Sequence, residues 1–242
     1  MISVNLAILA PLQGRKLRLQ RRAPEHAEFI QQCRQNQAFM DLYRLTEKRS
    51  ESLSALRESL AEELTLVPPQ LRRFEWVIVR HLPGETEKLI GLAAVADYQV
   101  SHQRAEFLVG IVEPADQHPG IGLEASLLVL DFAFNQLALH KLISFVYGYN
   151  PISQENTLAL GFTQEGLLRE HLHLHNLGYI DLYQNGLLAS DFRHNARLSK
   201  LSQRLLGHDI TRPPTPAQAL PKQRLLDLEQ AIKRLSHPAP QA

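Results

Sequence analysis

Between residues 106 and 139 the chain passes from a strand-like run into a loop and then into a long apolar segment of helical length. The loop carries Gly120 and Gly122 immediately before that segment. This succession constrains the fold more than any other feature. Glycines let a backbone curl so that consecutive N–H groups face one side. A helix N-terminus adds four unpaired N–H groups and a partial positive charge. Together they form a cradle for a phosphate or pyrophosphate. A Gly-x-Gly standing alone is equally an ordinary tight turn before a buried helix. A P-loop is excluded, because no Gly-Lys-Ser/Thr follows at the required spacing. A dinucleotide-binding fingerprint fits poorly. Ala125 stands where the third glycine would be, and the next strand runs into Gly148, Tyr149 and Asn150 with no acidic residue.

The flanking pattern alternates strand-like and helix-like segments. Strands are expected over residues 16–22, 74–81, 88–98, 104–112, 142–147, 162–173 and 179–188. Helices are expected over 24–35, 50–64 with Ser50 as N-cap, 122–139 and 151–160. Turns are expected at Pro83-Gly84 and at 176–178. The order β-α-α-β-β-β-α-β-α-β-β specifies an α/β layer fold with a mixed, mostly antiparallel sheet. Composition then divides the 242 residues: the segment from His194 onward carries a net charge of +5, leaving −4 for the preceding 193 residues of a chain whose total is +1. That tail holds the proline cluster Pro213, Pro214 and Pro216, read as a stiff linker. Helical leucine spacing lies on both sides of it, at Leu198, Leu201 and Leu205 and at Leu225, Leu228, Ile232 and Leu235. The expected organisation is a body over 1–193 and a basic two-helix extension over 194–242. The extension is either a clasp packed on the body or a basic arm for a partner.

The even charge balance argues against a nucleic-acid binder. No stretch reaches the ~18 apolar residues of a membrane span, and the first twelve residues lack the basic start and cleavage site of a signal peptide. A soluble cytoplasmic protein is expected. The single cysteine, Cys33, allows neither an internal disulfide nor a cysteine-based zinc site.

Several spaced motifs resemble one family. Gln117-x-x-Gly120-x-Gly122, with Pro114 before it and Glu124-Ala125 after it, looks like the acyl-CoA-binding motif of the GNAT superfamily of N-acetyltransferases. Asn150-Pro-Ile-Ser153 leading to Leu160-Gly161-Phe162 is similar to a second family segment. Leu168-Arg169-Glu170-His171 and Gly178-Tyr179-Ile180-Asp181 resemble the branch that acetylates ribosomal-protein N-termini, polyamines and amino-sugar nucleotides. The match covers about residues 14 to 192. It implies a GNAT-like sheet splayed at a cofactor cleft, between the strand ending at Val112 and the strand ending at Tyr147, with helices on both faces. Acetyl-CoA would be the co-substrate. Its pantetheine would pair with the backbone near Ile111 and Val112, where an N–H would polarise the thioester carbonyl. Its pyrophosphate would sit on Gln117, His118, Pro119, Gly120, Ile121 and Gly122, and Asn150 and Ser153 would contact the cofactor from the next segment.

An ammonium has no lone pair, so the acceptor must lose a proton before it attacks. In the histone-type members of the superfamily a glutamate placed like Glu106 is the base. Glu106 and Val112 share strand parity, so both face one side in the absence of a bulge. The competing reading of Glu106 is a solvated or salt-bridged edge residue, with Asp97 and His102 as substitute bases and Glu113 on the other face. Where many members carry a tyrosine as general acid, this chain has Thr157, a poor acid. Water, Tyr147 or Tyr149 would have to stand in, or the thiolate leave unprotonated. His171, His173 and His175 share a strand face as pocket or surface residues, and no metal is expected. The resulting expectation is direct acetyl transfer to a primary amine, a small metabolite such as an amino sugar nucleotide. The alternatives are protein N-terminal acetylation, with a peptide N-terminus as partner, and a non-catalytic acyl-CoA-binding module. A homodimer is compatible with the family reading.

Overall fold

Alternating apolar residues on the central strands create two buried faces, and the helices cover both. The computed structural model describes residues 10–45, 52–66, 70–81, 87–174 and 177–213. Ser50, the Pro83-Gly84 turn, His175, Asn176 and everything from Pro214 on, including the leucine repeat at 225–235, lie outside the described residues.

The elements are β1 (Leu12–Gln13), β2 (Leu17–Arg21), α1 (Ala27–Gln35), α2 (Gln37–Tyr43), α3 (Leu53–Thr65), β3 (Phe74–Arg80), β4 (Lys88–Gln99) and β5 (Arg104–Ile111). They continue with α4 (Ile121–Asp131), β6 (Lys141–Tyr147), α5 (Pro151–Ala159), β7 (Thr163–Leu174), β8 (Gly178–Leu188), α6 (Ala189–His194) and α7 (Ala196–Leu205). The strands form one eight-stranded sheet in the order β1-β2-β3-β4-β5-β6-β8-β7. Every pair is antiparallel except β5 with β6. This is the mixed, mostly antiparallel α/β fold expected from the sequence.

Period-two alternation divides the core. Leu17, Leu19, Trp76, Ile78, Ala93, Val95, Ala105 and Phe107 pack on one face with residues of α4 and α7. Val77, Val79, Leu92, Ala94, Ala96 and Leu108 pack on the other with α1, α2 and α3. Trp76 and Phe74, both nearly fully buried, meet the Phe132 ring at 4.8 and 5.3 Å between centroids.

Three local features differ from the sequence expectation. The α2 helix was not anticipated; Asn36 caps it by accepting from the Phe39 amide at 3.1 Å, and Phe39, Met40 and Tyr43 form its buried face. The α3 helix takes its cap from Ser52, whose hydroxyl accepts from the Ala55 amide. The helix expected to run unbroken to residue 139 gives way after Asp131 to a π-helical turn over Phe132–Gln136. The widened turn leaves the Phe134 carbonyl to accept from Arg193 at 3.1 Å, and Arg193 also donates to Asn135 and to the Thr211 carbonyl. Leu198 and Ile210 are fully buried in the same core as the sheet.

Candidate active site

The loop after β5 is anchored at its base. Pro114–Asp116 form a single 3-10 turn, and the buried Asp116 carboxylate accepts from Lys88 Nζ at 2.8 and 3.0 Å, with Arg80 at 3.5 Å. Gly120 then takes φ of +89°, the left-handed region that glycine enters without strain, and serves as the N-cap of α4. Within this loop the Gln117 amide donates to the Pro114 carbonyl and the Ile121 amide to the His118 carbonyl. Among the described residues, the amides of His118, Gly120, Gly122 and Leu123 make no backbone hydrogen bond outside the helix's own ladder. A Cβ at Gly120 or Gly122 would meet nothing within 4 Å. Free donors, open space and a helix N-terminus converge here, a donor set suited to a diphosphate. Glu124, fully buried one turn into α4, ties the helix start to the β1–β2 turn by accepting from the Lys16 amide at 2.8 Å.

The adjoining cleft is a fork in the sheet. β5 and β6 pair only at Arg104–Lys141, Ala105–Leu142 and Glu106–Ile143, although β5 continues to Ile111 and β6 to Tyr147. The Val112 amide donates to the Ile90 carbonyl at 2.9 Å, so it is committed to β4. Antiparallel bonding alternates, which turns the Val109 and Ile111 amides toward the side where β6 has splayed away. These, rather than Val112, are the backbone donors facing the cleft.

Glu106 stands at the last paired position before the fork. It is 6% exposed and shares the α1–α3 face with Leu108 and Val112. Its carboxylate lies 3.0 Å from Arg44 Nη2, the same nitrogen that contacts Asp97 at 2.5 Å. Burial pushes the Glu106 pKa up to about 7; Arg44 opposes this, and the charge and hydrogen bond of Asp97 add to it. Asp97 reaches this position because the β4–β5 register shifts between Ala96 and Gln99, with Asp97 at φ of +48°. His102 lies exposed in the turn joining β4 to β5, and Glu113 is exposed beyond the strand end.

Arg44 is the residue after α2, and two tyrosines of the β6 end hold that segment in place. Tyr147 Oη accepts from the Leu45 amide at 2.9 Å, and Tyr149 Oη donates to the Asp41 carbonyl. The two rings stack at 5.7 Å. Phe39 and Tyr43 press against the bare Cα of Gly110, where a Cβ would come within 2.7 Å of the Phe39 ring. Burial raises the Tyr147 pKa, so its phenol keeps its proton at neutral pH.

Asn150 caps α5, accepting from the Ser153 amide at 3.1 Å and donating to the Ser153 hydroxyl at 2.8 Å. Thr157 is buried one turn further on. Gln117, His118 and Pro119 are exposed, whereas Ile121 is buried. His173 packs edge-on to Tyr179, and His171 is exposed. Cys33 is buried with its thiol pushed up to about 12, which makes it inert as a nucleophile. Sequence reading did not find Arg44. Its contacts join positions 53 and 62 residues apart, and no local pattern announces them.

A family model described as an acetyltransferase (GNAT) domain matches residues 16–163. Among curated proteins, the chain is 25% identical over 170 residues to the uncharacterized N-acetyltransferase YoaA of Bacillus subtilis (strain 168), covering 69% of this chain and 91% of that one. It is 32% identical over 108 residues to the spermidine N(1)-acetyltransferase of Vibrio cholerae, covering 44% of this chain and 60% of that relative. The crystal structure of spermidine N-acetyltransferase from Vibrio cholerae in complex with CoA and spermine superposes with a TM-score of 0.62 at 26% identity, over 73% of this chain and 97% of that one. Forked sheet, glycine-bearing loop at a helix start and family match agree, and the chain belongs to the GNAT acetyltransferases, acetyl-CoA-dependent enzymes that transfer an acetyl group to an amine.

Proposed function

We propose that the acceptor is a small polycationic amine of the spermidine class and that Glu106 is the base that deprotonates it. The observation that carries this reading is Glu106 itself, a buried carboxylate at the fork with its pKa near 7. A general base works best when its pKa lies near the operating pH, and such bases contribute roughly 10²–10⁴-fold. Acetyl-CoA supplies the acetyl group as an activated thioester. The His118, Gly120, Gly122 and Leu123 amides and the start of α4 would hold its diphosphate, and the Val109 and Ile111 amides are the donors available to the pantetheine and the thioester oxygen. Glu106 takes the ammonium proton on the α1–α3 side of the fork. Thr157 is a weak acid, but a thiol pKa of about 8.5 lets the thiolate leave without full protonation.

Acceptor charge favours a cation. Asp97 and Glu106 both contact the guanidinium of Arg44, with Arg73 acting on Glu106 from further off, and Asp41 adds a third carboxylate to the same wall. An amino sugar nucleotide, the acceptor expected from the sequence motifs, carries phosphate charge of the wrong sign for this wall. The names of the relatives also point to polyamines. The test is CoA release with acetyl-CoA and a panel of spermidine, spermine, putrescine, an amino sugar nucleotide and peptides with free N-termini. Spermidine or spermine should give the highest kcat/KM, by about tenfold or more, since one well-placed charge pair at about ε 20 is worth a few kcal/mol at most. Turnover confined to the sugar nucleotide or the peptides would overturn the assignment.

A further inference from the structure

We propose that Arg44 is a positioning residue for the base, with Asp97 as its counterweight, so that the wall behind α2 takes part in catalysis through Glu106. This rests on the reading of Glu106 as the base.

The geometry carries it. One guanidinium nitrogen, Arg44 Nη2, contacts the Glu106 carboxylate at 3.0 Å and the Asp97 carboxylate at 2.5 Å. Glu106 is buried and Asp97 is largely solvent-exposed, so the guanidinium spans the inner and outer edges of the wall. One close guanidinium nitrogen holds both carboxylates by its charge, so what Arg44 supplies to Glu106 is a fixed positive neighbour. Arg44 in turn is not free to wander. Its own amide closes α2 by donating to the Met40 carbonyl. The nearby Asp41 carbonyl and Leu45 amide are tied to Tyr149, just past β6, and to Tyr147, its last residue. The end of the strand that forms one arm of the fork therefore latches the residue whose charge faces the carboxylate at its apex.

The charged and titratable groups acting on Glu106 come from four surrounding segments. Arg44 follows α2, Asp97 sits on the β4 bulge, and Arg73 precedes β3. Tyr147 on β6 interacts with Glu106, Arg44 and Asp41. Of these, Arg44 and Arg73 favour the ionised carboxylate and Asp97 opposes it. The signs are opposite, which makes the proposal easy to overturn. Only ionised Glu106 accepts a proton, so activity falls as pH drops through its pKa. Removing the Arg44 charge moves that limb up. Removing the Asp97 charge moves it down.

The experiment is the pH dependence of kcat/KM with the best acceptor of the panel, for wild type, Arg44→Met, Arg44→Lys, Asp97→Asn and Glu106→Gln. A carbon-13 carboxyl NMR titration of the same proteins gives a readout that needs no acceptor, Glu106→Gln identifying the resonance by its loss. Arg44→Met should move the limb and the NMR midpoint up by about one pH unit or more, the range for losing one close opposite charge. Arg44→Lys should keep both near the wild-type position. Asp97→Asn should move both down; asparagine tolerates the left-handed backbone there, so the fold is retained. If Glu106→Gln keeps the wild-type limb, the base assignment itself fails. If Glu106→Gln removes the limb while Arg44→Met loses turnover with limb and midpoint unmoved, Arg44 only braces the wall and this proposal is overturned.

Discussion

Glu106→Gln is expected to lower kcat by two to four orders of magnitude while leaving acetyl-CoA affinity within about twofold of wild type. The change is isosteric, so the buried side chain keeps its volume and one hydrogen-bonding oxygen. It loses the basic lone pair that takes the ammonium proton. The cofactor should not feel the change, because the donors proposed for it lie elsewhere, on the Val109 and Ile111 amides and on the loop before α4. Steady-state kinetics and a calorimetric titration with acetyl-CoA check the two halves separately. A kcat within fivefold of wild type would remove Glu106 from the base role. Equal loss of affinity and turnover would mean instead that the fork had collapsed.

The second large effect concerns the chain end. Ending the protein at Arg193 should lower the melting temperature by roughly 10 °C or more. Leu198 and Ile210 are both fully buried in the sheet core, beside the stacked pair Phe134 and Phe192. Each large aliphatic side chain contributes about 1.5–3 kcal/mol when fully buried, and one kcal/mol is worth roughly 2–4 °C in a domain of this size. Arg193 would also lose its bond to the Thr211 carbonyl and leave the π turn partly uncapped. Thermal unfolding of the shortened chain decides between the two readings of the basic extension. A melting point unchanged within about 3 °C would mean that the removed segment only decorates the body, as a basic arm would. A large drop means that they clasp it.

What the sequence made legible, and what it hid, follows from the range of each interaction. The glycine-bearing loop and the start of α4 are local, and their residue types leave little choice of conformation. The family resemblance singled out Glu106, and strand parity, which needs only its own strand, put it on the same face as Val112. The sheet was readable because β3, β4 and β5 are mainly apolar runs buried on both faces. Arg44 was invisible, since its meaning lies in carboxylates on two distant strands. Asp97 looked like a substitute base; a bulge in β4 makes it a partner of Glu106 instead. Val112 looked like the carbonyl-polarising amide, yet the register of β5 on β4 assigns its N–H to Ile90. That distinction depends on which strand edge is paired, a tertiary fact. The π turn after α4 was hidden for the same reason: its partner, Arg193, stands 59 residues away.

One fork, joined by β5, holds both the loop proposed as the diphosphate cradle and the carboxylate proposed as the base, and the buried Cys33 offers no nucleophile for a covalent relay. Acetyl transfer should therefore be direct, with donor and amine bound together. The most direct test is the initial-rate pattern with acetyl-CoA and the best acceptor of the panel, each varied at several fixed concentrations of the other. Direct transfer predicts double-reciprocal lines that intersect. Parallel lines, with acetylated protein accumulating when acceptor is withheld, would contradict it and require a covalent intermediate.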